Sequence, residues 1–294
     1  MLQPAILYLA WRCPETVPEQ GTRIFPVGRL IRKPCGEQEA EYEFCYIREA
    51  EEARKAGFLP FFGFNEIDGR IDGLINRRWQ SPTLFPLFSN RIMSRERPDF
   101  GDYARRIALH QIADEAQRLD PLTVLVQSGG RQVTDKFEVF GWPELGRAGY
   151  SICFWLRGLR YRPPAMLDVI NGLREHQPLE WREKPDTPMD SRAIGIYAGS
   201  DEIGFVPRYL LDDFHALKDA DATPRIVVDF RNPSNSSLHQ RLLCRVEATW
   251  PDGFVPFSTE RFQPIARRAW SITDEFDPRT LKPRHTTRAT DTAA

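Results

Sequence analysis

Residues 182–210 read REKPDTPMDSRAIGIYAGSDEIGFVPRYL. A loop rich in proline and aspartate leads into an apolar run, Ala193 to Tyr197. A tight turn, a second run (Glu202 to Val206) and a helix opened by Pro207 and reaching Leu217 follow. A plain hairpin does not need Asp186, Thr187, Pro188 and Asp190 set so densely before its first strand. Upstream, Gly158-Leu159-Arg160-Tyr161 places an arginine beside an aromatic where both could meet that loop.

Around this stretch, Ser151 to Leu156, Leu179 to Trp181, Arg225 to Phe230 and Leu242 to Trp250 read as strands, and Ala165 to Leu173 as a short helix. The segment Gly141-Trp142-Pro143-Glu144-Leu145-Gly146 reads as a boundary. Before it, Ile6 to Trp11, Arg23 to Ile31 and Tyr42 to Tyr46 predict strands, and Glu49 to Gly57 a short helix closed by glycine. Asp99 to Asp120 reads as one amphipathic helix, with Tyr103, Ile107, Ile112, Ala116 and Leu119 along one side. Leu122 to Gln127 and Lys136 to Phe140 read as two strands joined by a hairpin turn at Ser128-Gly129-Gly130-Arg131. That glycine pair lacks the Gly-Lys-Ser/Thr ending of a phosphate-binding loop. The expectation is a β-rich α+β chain of two small domains, residues 1–145 and 151–265, with a polar, flexible tail over 273–294.

Composition narrows the function. Forty basic and forty-one acidic side chains give a net charge of -1, which argues against wholesale gripping of duplex DNA and leaves room for a local basic pocket. The five cysteines and five histidines are dispersed, without the short spacings of a zinc site, so no metal or other cofactor is expected. No run approaches the ~20 apolar residues of a membrane span, and the opening run from Ala5 to Trp11 lacks a basic leader. A cytoplasmic protein with reduced thiols is expected.

The residues Gly158-Leu159-Arg160-Tyr161, Arg182-Glu183, Pro188, Asp190, Ala193-Ile194 and Ile203-Gly204-Phe205-Val206-Pro207 resemble the HIRAN family. That resemblance implies a small β-barrel of the oligonucleotide-binding type that holds the free 3′ end of single-stranded DNA. By the same resemblance, Arg160 and Tyr161 would meet a phosphate and stack on a base, and Asp190 would accept a hydrogen bond from the terminal hydroxyl. The chemistry agrees. An aromatic face stacks any base, a guanidinium matches phosphate geometry, and an ionised carboxylate only accepts. Met189 stands where the DNA-binding member has a tyrosine, and Phe205 where it has a histidine. Arg208 sits near a basic position of the family. Read from the residues alone, Pro188 and Asp190 equally build and cap a turn, and Tyr161 and Phe205 equally suit a core.

In the first half, Phe25-Pro26-Val27-Gly28-Arg29-Leu30 and Tyr42-Glu43-Phe44-Cys45-Tyr46 resemble the small N-terminal subdomain of HipA-type toxin kinases, as do the segments 84–90 and 120–135. That resemblance implies a fold and a protein partner rather than phosphoryl transfer. Gly-x-Ser-x-Gly, His-Glu-x-x-His and Gly-x-Gly-x-x-Gly are all missing. Asp212-Asp213 are adjacent on a predicted helix and point apart by ~100°. The sequence therefore predicts a binding protein without catalytic residues, its partner single-stranded DNA or a DNA 3′ end. The alternative is a protein-interaction or toxin–antitoxin-like accessory that binds no DNA.

Overall fold

Strand β1 (Ala5–Arg12) is apolar along its length because both of its faces are covered. Strand geometry sends alternate side chains to opposite sides. Ile6, Tyr8 and Ala10 enter one core, and Leu7, Leu9 and Trp11 enter another. The computed structural model describes residues 3–14, 23–36, 39–60, 75–132, 135–187 and 190–283.

β1 belongs to an antiparallel sheet with β2 (Ile24–Pro34), β3 (Ala40–Tyr46), β4 (Arg78–Ser81) and β5 (Phe137–Gly141), in the order β4-β3-β2-β1-β5. Helices α1 (Glu49–Lys55), α2 (Pro86–Ser89), α3 (Phe100–Arg106), α4 (Glu115–Leu119) and α5 (Pro121–Ser128) lie in the connections. Ala50, Ala53, Phe88, Leu122 and Leu125 close the core on the Leu7 side.

Two predicted elements are corrected here. The helix expected over residues 99–120 is broken. Ala108 adopts a left-handed conformation (φ 59°), and Asp114 restarts the helix as an N-cap, accepting from the Gln117 N–H at 2.7 Å. The strand expected from Leu122 is helix α5. Asp120 caps it, accepting from the Leu122 N–H at 3.3 Å, Pro121 suits its first turn, and Gly129 (φ 72°) ends it. Ser128–Arg131 is therefore a helix exit, not a hairpin turn.

The second half forms a seven-stranded antiparallel sheet. Its members are β6 (Glu144–Gly146), β7 (Gly149–Trp155), β8 (Pro178–Glu183), β9 (Ile194–Ala198), β10 (Asp201–Phe205), β11 (Arg225–Arg231) and β12 (Leu242–Ala248), in the order β10-β9-β8-β11-β12-β7-β6. Helices α6 (Pro164–Asn171) and α7 (Leu211–Asp219) accompany it, and α8 (Ile272–Glu275) follows. The expected barrel is not closed. β10 meets the chain beyond β7 through one bridge, Arg157 with Phe205. Gly158 (φ 86°) then turns the chain away before a ladder can grow.

The two halves share a core. Tyr8 packs on Phe140, Phe257 and Phe262, and Phe140 stacks on Tyr209 with ring centroids 3.9 Å apart. The chain after the second sheet returns to the first, where the Ile265 N–H donates to the Tyr46 carbonyl at 3.0 Å. The buried Glu43 accepts from the Trp270 N–H at 2.7 Å. Ile6, Tyr8 and Phe140 of the first half thus lie in one apolar cluster with residues of the second. In the segment from 273, Phe276 is fully buried. Residues 284–294, half of the predicted tail, lie outside the described residues. Among the described residues no helix is long and apolar enough to cross a membrane.

Candidate nucleic-acid interface

The bridge between Arg157 and Phe205 fixes where the candidate residues sit. The Arg157 N–H donates to the Phe205 carbonyl at 3.2 Å, and the Phe205 N–H donates back at 3.0 Å. Gly158 follows in a conformation that side-chain-bearing residues avoid, and a Cβ there would come within 3.0 Å of the Phe205 ring. The next three residues form a tight 3₁₀ turn, Leu159–Tyr161. Leu159 is buried and pins the turn, which leaves Arg160 and Tyr161 facing outward. Tyr161 is 54% exposed, and the Arg160 guanidinium lies over its ring, 4.6 Å from the centroid. Arg160 also donates to the Tyr161 hydroxyl. Tyr161 is thus an outward aromatic with a cation on its face, not a core residue.

Asp190 is held by the loop before β9. Its backbone N–H donates to the Thr187 carbonyl at 3.1 Å, and its carbonyl accepts from the Ala193 N–H at 3.0 Å. One carboxylate oxygen caps the Arg192 N–H at 3.0 Å, the turn role that the sequence allowed. The other meets Arg208 Nε at 2.7 Å. The fold therefore brings Asp190 and Arg208 together, with Asp190 still partly exposed. Pro188 and Met189 lie outside the described residues.

Phe205 is half-buried at the end of β10, with the Arg162 guanidinium 4.9 Å from its ring centroid. Arg162 is paired in turn with Glu202, which also holds Lys184 Nζ at 2.9 Å and accepts from the Tyr197 hydroxyl at 2.8 Å. Burial alone would push the Glu202 carboxyl up, yet the hydrogen bonds from Lys184 and Tyr197 and the charge of Arg162 hold it below its usual range. Arg182 lies over the Tyr197 ring, 4.2 Å from its centroid. The end of β10 is thus flanked by two built pairs, Arg160 with Tyr161 and Asp190 with Arg208.

Such a surface offers a sequence-tolerant stacking face and guanidinium groups suited to phosphate. The sequence reading missed Arg162, Lys184 and Glu202. The signal available was the run Arg157-Gly-Leu-Arg160-Tyr-Arg162, which sets three arginines in six residues. The pair Asp212 and Asp213 does split as the helical spacing predicts. Asp212 faces Arg192 at 2.6 Å and the Thr259 hydroxyl at 2.9 Å, while Asp213 accepts from the Phe257 N–H at 2.9 Å.

No family model matches the chain, and no curated protein matches it. Among solved structures, the chain is similar to the HIRAN domain of human HLTF at 18% identity, over 33% of this chain and 74% of that one, with a TM-score of 0.27. It is similar also to a structural-genomics target from Lactobacillus plantarum at 18% identity, over 33% of this chain and 91% of that one, again with a TM-score of 0.27. These matches give no support to the HipA-type resemblance of the first half. The likeness concerns a third of the chain and carries no argument about what this surface binds.

Proposed function

We propose that this chain is a non-enzymatic nucleic-acid-binding protein that takes single-stranded DNA, including its free 3′ end, at the surface around the end of β10. The observation that carries the reading is the exposed Tyr161 ring, presented on a turn locked by Gly158 and Leu159, with Arg160 across its face. A base stacked there would gain ~1–3 kcal/mol without sequence preference. Arg160 and Arg208 supply positive charge for phosphate, and Asp190 accepts from a terminal hydroxyl while repelling a terminal phosphate. That the net charge is -1 fits a local grip on one strand rather than a broad grip on duplex.

Fluorescence anisotropy with labelled oligothymidylates ending in a 3′-hydroxyl or a 3′-phosphate tests this directly. The hydroxyl end is expected to bind more tightly, with the preference removed by Asp190→Ala. Equal binding of both ends, unmoved by Asp190→Ala, would remove the end-capture claim. Failure of any oligonucleotide to bind would leave a protein-interaction role in its place.

A further inference from the structure

We infer that a second, phosphate-recognising site lies at the seam between the two sheets. It is built from Arg12, Arg131 and Arg157 around Glu138, and it receives a phosphate group of the strand held at the Arg160–Tyr161 turn. The inference rests on the proposed reading of that turn, but it uses different residues, several of them from the first half of the chain.

Five residues spread from β1 to the turn after β11 supply the seam. Arg12 ends β1, Arg131 follows the exit of α5, Glu138 lies in β5, and Arg157 follows β7. His239 comes from a short turn, Leu238–Gln240, that packs against the Leu159–Tyr161 turn. Glu138 is buried, with 2% of its side chain exposed. Arg157 Nη2 donates to its Oε1 at 2.7 Å, and Arg131 Nη1 approaches its Oε2 at 3.8 Å. Arg157 also donates to the Tyr209 hydroxyl at 3.4 Å. Arg12 donates to the Asp135 backbone carbonyl at 3.3 Å, while the Asp135 carboxylate is taken up by Arg91. Two guanidinium groups therefore share one buried carboxylate, and Arg12 lies close enough to feel its charge.

Against the effect of burial, Glu138 and Tyr209 hold Arg157 above its usual range, while its neighbours feel the surplus positive charge. Burial and the charges of Arg157 and Arg12 push Arg131 down to about 10 despite the attraction of Glu138. Burial and the charges of Arg131, Arg157 and Arg12 push His239 down to about 4, so its imidazole is neutral near pH 7. Arg12 Nε and Arg157 Nε, and Glu138 Oε2 between the arginines, are buried with no hydrogen-bond partner among the described residues. A purely structural ion pair would match one cation to one anion. Here two arginines share one carboxylate and a third lies beside them, an excess of cation that an oxyanion would balance. Arg131 and Arg157 each keep a fifth of the side chain exposed, so the seam is open to solvent. Arg157 directly precedes the Gly158 that opens the exposed turn, and the Leu238–Gln240 turn packs on it, which links the seam to that turn. A strand stacked on Tyr161 could therefore set a phosphate into the seam, where planar guanidiniums bind in forked pairs.

The test uses the full chain with two probes, inorganic phosphate and a labelled oligothymidylate. Phosphate is expected to raise the melting temperature of the wild type and not that of Arg131→Gln. The oligothymidylate is expected to bind Arg131→Gln about tenfold more weakly. Its salt slope should be shallower by about 0.7, the share of a single phosphate on a single strand. Arg12→Gln, at a strand end, should reproduce both changes and guards against misfolding of the first variant. Wild-type affinity and slope in both variants would overturn the seam site while leaving the Tyr161 surface standing. Phosphate stabilisation that depends on Arg131, without oligonucleotide binding to the wild type, would overturn the strand as the source of the phosphate.

Discussion

Arg32 and Arg157 both set a guanidinium against a carboxylate inside this fold, and the difference between them separates scaffold from site. Arg32 is fully buried on β2 and makes a forked pair with Asp120, at 2.6 and 2.7 Å. Its Nε donates to the Gln3 carbonyl at 2.9 Å, so cation and anion are matched. Arg157 shares Glu138 with Arg131, and its own Nε is unpartnered among the described residues. A matched buried pair holds the fold and asks for nothing more. An unmatched cluster that reaches solvent leaves charge for a ligand.

The largest effect should follow from breaking the matched pair. Asp120→Ala strands Arg32 and removes the cap of α5, so unfolding by denaturant should show a loss of about 3–5 kcal/mol. A loss below 1 kcal/mol would mean that Arg32 finds other partners and that the contrast fails. Next is Tyr8→Ala, which opens a cavity where the two halves meet and should cost ~3–5 kcal/mol in one cooperative transition. Two separate transitions in the wild type would show instead that the halves fold independently.

The buried carboxylate of Asp213 makes a third contrast. Burial, with Asp212 nearby, raises it to about 7 against the hydrogen bond from the Phe257 N–H. Between about pH 4 and pH 7 the unfolded chain releases this proton while the folded chain keeps it. Stability therefore falls as pH rises through that window and levels off above it. Asp213→Asn should flatten the slope and stabilise the protein at pH 8, by roughly 1–3 kcal/mol, as read from melting curves across that range. The smallest effect on folding belongs to the exposed turn. Tyr161→Ala should leave stability within about 0.5 kcal/mol while costing ~1–3 kcal/mol of oligonucleotide affinity. An equal loss of both would make Tyr161 a structural residue.

The positions of many strands along the chain were legible because apolar runs bounded by turns are strong local signals. The run from Ala5 to Trp11 announced a strand, but its alternate side chains serve two different cores, which no local pattern separates. The region 99–128 was misread because the apolar periodicity continues through Ala108, whose left-handed turn has no glycine to mark it. Asp114 and Asp120-Pro121 were the available caps. In the site, Arg160 and Tyr161 were readable as neighbours, and the structure shows them exposed and in contact. The pairing of Asp190 with Arg208 was not readable, since it depends on how the loop before β9 folds back on the turn after β10. Glu138 was invisible for the same reason. A single glutamate between Phe137 and Val139 acquires meaning only when Arg131 and Arg157 arrive from other segments.

Hydrogen–deuterium exchange with and without a saturating oligothymidylate tests the central claim most directly, because it reports where the strand lies. The account predicts slowed exchange in residues 158–162 and 203–210, with the strands β2 and β3 unchanged. Protection confined to the first sheet, or none at a concentration where anisotropy shows binding, would contradict it.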